Sequence, residues 1–105
     1  IGAVCAYLEE HSGEPVSLDQ LGEVAGLSKY YLLRSFTKQK GISPYRYLET
    51  IRIAKARKLL ERNVPMIEVA LQTGFADQSH FSRFFKRLIG VTPRQYAEIF
   101  GGRQA

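Results

Sequence analysis

The chain has no tryptophan, one methionine and a single cysteine, Cys5. One thiol can neither close an intramolecular disulfide nor build a cysteine zinc cluster, so the sequence predicts no structural metal and no cofactor. Cys5 falls with Ile1, Val4 and Leu8 at helical spacing, which assigns it to a core rather than to chemistry. Long apolar runs are missing too. None approaches the roughly 20 residues of a membrane-spanning helix, and the N-terminus lacks the charged, apolar and small-residue segments of an export signal. A cytoplasmic protein with no membrane partner is expected, and a start at Ile1 suits a piece cut from a longer protein. Basic residues are absent before Lys29, where Glu9, Glu10, Glu14, Asp19 and Glu23 stand alone. All 15 Lys and Arg lie from Lys29 onward, against only five acids. Such a stretch points to a polyanionic partner, because each cation that neutralises a phosphate releases a condensed counterion. Charge alone does not separate DNA from RNA or an anionic membrane.

What is present is helix. Apolar residues recur at three and four, strand patterns are nearly absent, and turn residues separate the periodic segments, so the fold class is all-α with about seven helices. Ser17-Leu18-Asp19-Gln20 is a capping box, opening a helix that runs from Leu18 to about Ala25. Gly26 stops it, Ser28 caps the next, and that one continues through Leu32 and Phe36 to Lys40 before Gly41. Ser43-Pro44 starts a long helix that ends near Arg62, closed by Asn63 and Pro65. Its apolar residues Leu48, Ile51, Ile53, Ala54, Ala56, Leu59 and Leu60 spread over more than one face, as in a connector packed on two sides. Arg52, set among them, reads as a buried ion-pair partner for an acid such as Asp19 or Glu23.

The chain repeats itself. LGEVAGLSKYYLLRSF followed by GISPYRY returns as IEVALQTGFADQSHFSRFF followed by GVTPRQY. Gly26 matches Gly74, and after one inserted residue Leu32 matches Phe81, Arg34 matches Arg83, Phe36 matches Phe85, Gly41 matches Gly90, Pro44 matches Pro93 and Tyr47 matches Tyr96. Two copies are few for a solenoid, whereas two helix-turn-helix units joined by a connector fit the pattern. The expected division is a first unit over 1–43, a connector over 44–62 and a second unit over 64–105.

In a helix-turn-helix the second helix enters a DNA major groove while its other face packs on the first helix. Leu32 and Phe36 mark the inward face of the first such helix, and Tyr30, Leu33, Arg34 and Thr37 recur as a strip opposite. On the helix from Gln78 to Ile89 the inward residues are expected to be Phe81, Phe85 and Leu88. Ser79, Ser82, Arg83 and Lys86 form the equivalent strip. Arg34 and Arg83 are the leading base readers, because a guanidinium fork matches the O6 and N7 acceptors of guanine, with a solvated or phosphate-paired arginine as the alternative. Gln78 and Ser79 suit a base edge or a phosphate, Tyr30 and Leu33 suit thymine methyls, and Leu33 equally suits ordinary core packing. Thr37, Lys38, Lys40, His80, Ser82, Lys86 and Arg87 are expected to meet phosphates. His80 has Asp77 and Ser79 beside it, but residues one apart on a helix do not face each other and the other histidine, His11, is distant, so neither a catalytic triad nor a two-histidine metal site is expected.

From about Ser17 to Ile99 these residues resemble the AraC/XylS family of transcription regulators, and ALQTGFADQSHFSRFFKRLIGVTPRQY is similar to the family signature over the second unit. The resemblance implies sequence-specific binding of double-stranded DNA for regulation of transcription, by a monomeric domain whose two recognition helices address successive major-groove segments. It also implies contact with RNA polymerase and a separate effector-binding or dimerisation domain, which this chain does not include. Tyr30, Leu33 and Arg34, then Gln78, Ser79 and Arg83, fall where the family reads bases. Leu33 replaces a residue that is often polar, and Ser79 is small, so fewer direct hydrogen bonds are expected at those two positions. Two other functions compete. A DNA repair protein of the methyl-acceptor type shares this architecture but needs a cysteine-rich zinc centre. A helical interaction module explains the helices but not why arginine recurs in both strips.

Overall fold

A computed structural model describes residues 1–102, so the end of the expected second unit, 103–105, lies outside the described residues. The described residues form seven helices and no strand: α1 Gly2–Glu10, α2 Leu18–Ala25, α3 Lys29–Lys40, α4 Pro44–Glu61, α5 Met66–Thr73, α6 Gln78–Ile89 and α7 Pro93–Phe100. The chain divides into two compact units, one over Ile1–Ile51 and one from Arg52 onward, so the division falls within α4.

In the first unit the capping box closes as the sequence predicts. The Ser17 amide donates to Gln20 Oε1 at 2.8 Å, and the Gln20 amide donates to Ser17 Oγ at 3.1 Å. Gly26 ends α2 in the left-handed region at φ 69°, and the Leu27 amide reaches back to the Gly22 carbonyl at 2.9 Å. Ser28 then caps α3 through the Tyr31 amide, and Ser43 caps α4 through the Arg46 amide at 3.1 Å. The core of this unit is Val4, Leu8, Leu21, Leu32, Phe36, Leu48 and Ile51. Tyr47 closes it edge-on against Phe36, with ring centroids 5.4 Å apart. Cys5 is only half-buried at the margin of this core, where its hydrogen bond with Tyr47 raises the tyrosine pKa above the ordinary 10.0. Asp19 pairs with Lys29 at 3.4 Å on the surface.

The second unit repeats the plan with different chemistry at its joints. Pro65 precedes α5 without a side-chain cap, and the Thr73 hydroxyl donates to the Val69 carbonyl at 2.6 Å. Asp77 caps α6 through the His80 amide at 2.7 Å, and Thr92 with Gln95 forms a second capping box at the start of α7. The core gathers Ile53, Ala56, Leu60, Val69, Ala70, Phe75, Phe81, Phe84, Phe85 and Tyr96. Phe85 and Tyr96 meet edge-on at 5.5 Å, repeating the Phe36–Tyr47 pair of the first unit. The Tyr96 phenol accepts from Arg57 Nε at 3.2 Å and donates to Glu61 Oε2 at 2.5 Å, and the bond from Arg57 to Tyr96 raises the pKa of the guanidinium.

Two packing expectations need correction. Leu88 is not an inward residue of α6: it is 45% exposed, and Phe84, at 5%, lies inside with Phe81 and Phe85. Leu88 shares a side with Phe81 but sits in the last turn, where Ile89 and Val91 pack against the core instead. Ala54 is exposed, so the buried apolar positions of α4 are Pro44, Leu48, Ile51, Ile53, Ala56 and Leu60, with Leu59 half-buried. Arg52 is buried as expected.

Candidate nucleic-acid interface

Each unit presents the second helix of its helix-turn-helix with one face buried and the other bare. On α3, Leu32 and Phe36 are fully buried, while Tyr30, Leu33, Arg34, Thr37, Lys38 and Lys40 are exposed. The helical repeat separates the faces, because positions three, four and seven apart return to one side. Tyr30, Leu33, Arg34, Thr37 and Lys38 line one shallow depression along this surface, so five of the residues expected to touch DNA are brought together. Within it Arg34 Nη1 donates to the Tyr30 hydroxyl at 3.0 Å. Tyr30 in turn meets Tyr31 edge-on at 5.3 Å. Leu33, 37% exposed, also lines an apolar groove with Leu8, Leu18, Leu21, Pro44 and Leu48.

On α6 the arrangement is plainer. Gln78, Ser79, Arg83, Lys86 and Arg87 are exposed, and His80 and Ser82 are half-buried, with Phe81, Phe84 and Phe85 on the other side. Arg83 folds back on its own helix, where Nε donates to the Ser79 carbonyl at 3.4 Å. The His80 ring lies edge-on to Phe75 at 5.5 Å, which ties it to the turn. Lys38 and Lys40 end α3, and Lys86 and Arg87 end α6, where cations also favour the negative end of the helix dipole. Among the described residues no group of three or more His, Cys, Asp and Glu side chains is placed to hold a metal ion. No helix among them is long and apolar enough to cross a membrane.

Sequence reasoning passed over Tyr31, 60% exposed beside Tyr30, and Lys29, exposed at the start of α3. The doubled tyrosine at a helix start was the available signal for the first. It also passed over the Tyr30–Arg34 hydrogen bond, although the four-residue spacing permits one.

Comparison with known proteins agrees with this geometry. The family described as a helix-turn-helix domain matches residues 21–99. The HTH-type transcriptional regulator YbfI of Bacillus subtilis is 64% identical over 77 residues, covering 73% of this chain and 28% of that protein. The HTH-type transcriptional activator RhaS of Escherichia fergusonii is 40% identical over 101 residues, covering 95% of this chain and 35% of that protein. The chain therefore spans about a third of the length of these relatives. Among solved structures, the DNA-binding domain of AdpA in complex with a target DNA superimposes with a TM-score of 0.88 at 29% identity, covering 94% of this chain and 90% of that one. With the match reaching from Leu21 to Ile99 across both helix-turn-helix units, the chain belongs to the AraC/XylS family of transcription regulators.

Proposed function

We propose that this chain binds double-stranded DNA sequence-specifically, as the DNA-binding part of a bacterial transcription regulator, by inserting the exposed strips of α3 and α6 into the major groove. The observation that carries the reading is the double placement of arginine. Arg34 and Arg83 occupy matching positions of the repeat, both exposed, each opposite a fully buried pair, Leu32 with Phe36 and Phe81 with Phe85. A solvated face has no reason to keep one residue type at that point in both units. Tyr30, Leu33 and Arg34 are assigned to bases in one segment, and Gln78, Ser79 and Arg83 to bases in another. Thr37, Lys38, Lys40, His80, Ser82, Lys86 and Arg87 are assigned to phosphates, which fix position without reading sequence. The protein acts by binding rather than catalysis, in the cytoplasm. Its place within a longer regulator, and contact with RNA polymerase, belong to the same proposal, supported by relatives such as RhaS that are named activators.

The test is selection of bound sites from a random duplex library with the wild type and with Arg34→Ala and Arg83→Ala, each first checked for folding by circular dichroism. Each variant should relax preference in its own segment and lose about 1–3 kcal/mol on the selected site, the worth of a bidentate base contact. Uniform loss of affinity without a local change in preference would make the arginines phosphate anchors. No selected sequence at all with the wild type would favour a helical interaction module.

A further inference from the structure

The two arginines do not offer the same edge. Arg34 gives one Nη1 hydrogen to the Tyr30 hydroxyl at 3.0 Å, which keeps Nε and Nη2, the side edge of the guanidinium, whole for a bidentate partner. Arg83 gives Nε to the Ser79 carbonyl at 3.4 Å, which leaves the terminal pair Nη1 and Nη2. The repeat places Tyr30 and Ser79 at equivalent positions, so the difference follows from one side chain: a phenol reaches a guanidinium one turn on, whereas a serine hydroxyl is too short. We infer that Tyr30 is a specificity-determining positioning residue, acting through Arg34 by holding its Nε–Nη2 edge toward the base pair it reads.

The inference rests on the proposed DNA-reading role of α3. On the open surface an exposed hydrogen bond four residues apart contributes little, since water serves each group as well. In a groove the balance changes. A guanidinium carries five N–H donors, and a guanine edge accepts two of them, so the remaining donors lose water without gaining a partner unless the protein supplies one. The Tyr30 hydroxyl supplies it to Nη1 before DNA arrives, in a setting of lower dielectric where an unpaired donor is most costly. It also removes rotamer freedom from a long side chain ahead of binding, so less is lost on association. Tyr31, edge-on to Tyr30 at 5.3 Å, steadies the ring that holds the hydroxyl.

The experiment is a double-mutant cycle between Tyr30→Phe and Arg34→Ala in the intact chain, with affinities measured on the site selected by the wild type and on the same site with the guanine facing Arg34 replaced by adenine. Tyr30→Phe keeps the ring and its apolar contacts and deletes only the hydroxyl. It should lower the guanine-over-adenine preference by roughly threefold to tenfold, the range for one net hydrogen bond. In the Arg34→Ala background the same change should have no effect on either site. Equal losses from Tyr30→Phe with and without Arg34 would make the phenol a DNA contact in its own right and overturn the positioning role. An unaltered guanine preference in Tyr30→Phe, where Arg34→Ala abolishes it, would overturn it while leaving Arg34 as a reader. If Arg34→Ala leaves the preference intact, the base-reading assignment fails, and the positioning inference with it.

Discussion

Gly22 lies in the interior of α2, where glycine costs about 1 kcal/mol relative to alanine. Replacing it should on propensity alone stabilise the chain. A Cβ at that position would stand 2.7 Å from the Leu27 carbonyl oxygen, well inside normal contact. The obstructing atom is backbone, and its residue is tied down by the Leu27 amide donating to the Gly22 carbonyl at 2.9 Å, so the turn cannot yield as a flexible side chain would. Overpacking of this kind costs about 1–3 kcal/mol, with the upper half expected against fixed backbone. After the propensity gain is subtracted, Gly22→Ala should lose about 1–2 kcal/mol, or roughly 4–8 °C of melting temperature per kcal/mol for a domain of this size. The second unit supplies the control. Ala70 occupies the matching position and is buried, and its turn contains the one extra residue that the first turn lacks. Inserting one residue between Leu27 and Ser28, where the second turn carries its extra residue after Phe75, should therefore recover stability in the Gly22→Ala background, though not in the wild type. Thermal unfolding followed by circular dichroism reads both. A Gly22→Ala variant as stable as the wild type, or more stable, would refute the close-approach argument.

Two further outcomes are expected. The logarithm of duplex affinity should fall against the logarithm of salt concentration with a slope of about −3 to −4, as four phosphate contacts from Lys38, Lys40, Lys86 and Arg87 require, and a slope near zero would remove DNA as the partner. Tyr96→Phe should lower stability by about 1 kcal/mol in urea unfolding, because the hydroxyl that accepts from Arg57 and donates to Glu61 is lost, and an unchanged midpoint would show that water replaces it without cost.

The helices were legible because their ends carry side chains with one dominant use. Ser17 with Gln20, Gly26, Ser28, Gly41 and Ser43-Pro44 each mark a terminus where unpaired amides or a left-handed residue must be accommodated, and every one of those termini stands where the spacing put it. Burial was legible where two residues of one stripe were both large, as with Leu32 and Phe36. It misled at Leu88, because helical phase says which side a residue faces and not whether a neighbour extends that far along the helix. The strips on α3 and α6 were readable as the residues left over. What could not be read was the use of each arginine's nitrogens, since a rotamer depends on a partner such as the Tyr30 hydroxyl, and spacing shows only that such a partner is within reach.

The repeat also separates scaffold from message. Leu32 and Phe81, Phe36 and Phe85, Tyr47 and Tyr96 are matched apolar or aromatic pairs, and the buried aromatic contact they build recurs at 5.4 Å in one unit and 5.5 Å in the other. On the exposed strips the pairs Tyr30 and Ser79, Leu33 and Ser82, Thr37 and Lys86 are alike in neither size nor chemistry, while the Arg34–Arg83 pair is retained and Lys38–Arg87 stays basic. The buried half must satisfy one packing geometry twice, so it changes little between copies, whereas the exposed half is not held to a core. Two copies of one reader would call for a repeated or palindromic site, which a symmetric dimer provides for by its twofold axis. One chain with two unlike strips calls instead for two unlike segments in a fixed order. Under the proposed function, its binding site therefore has a direction, and reversing the order of the two segments should abolish binding although every individual base contact remains available.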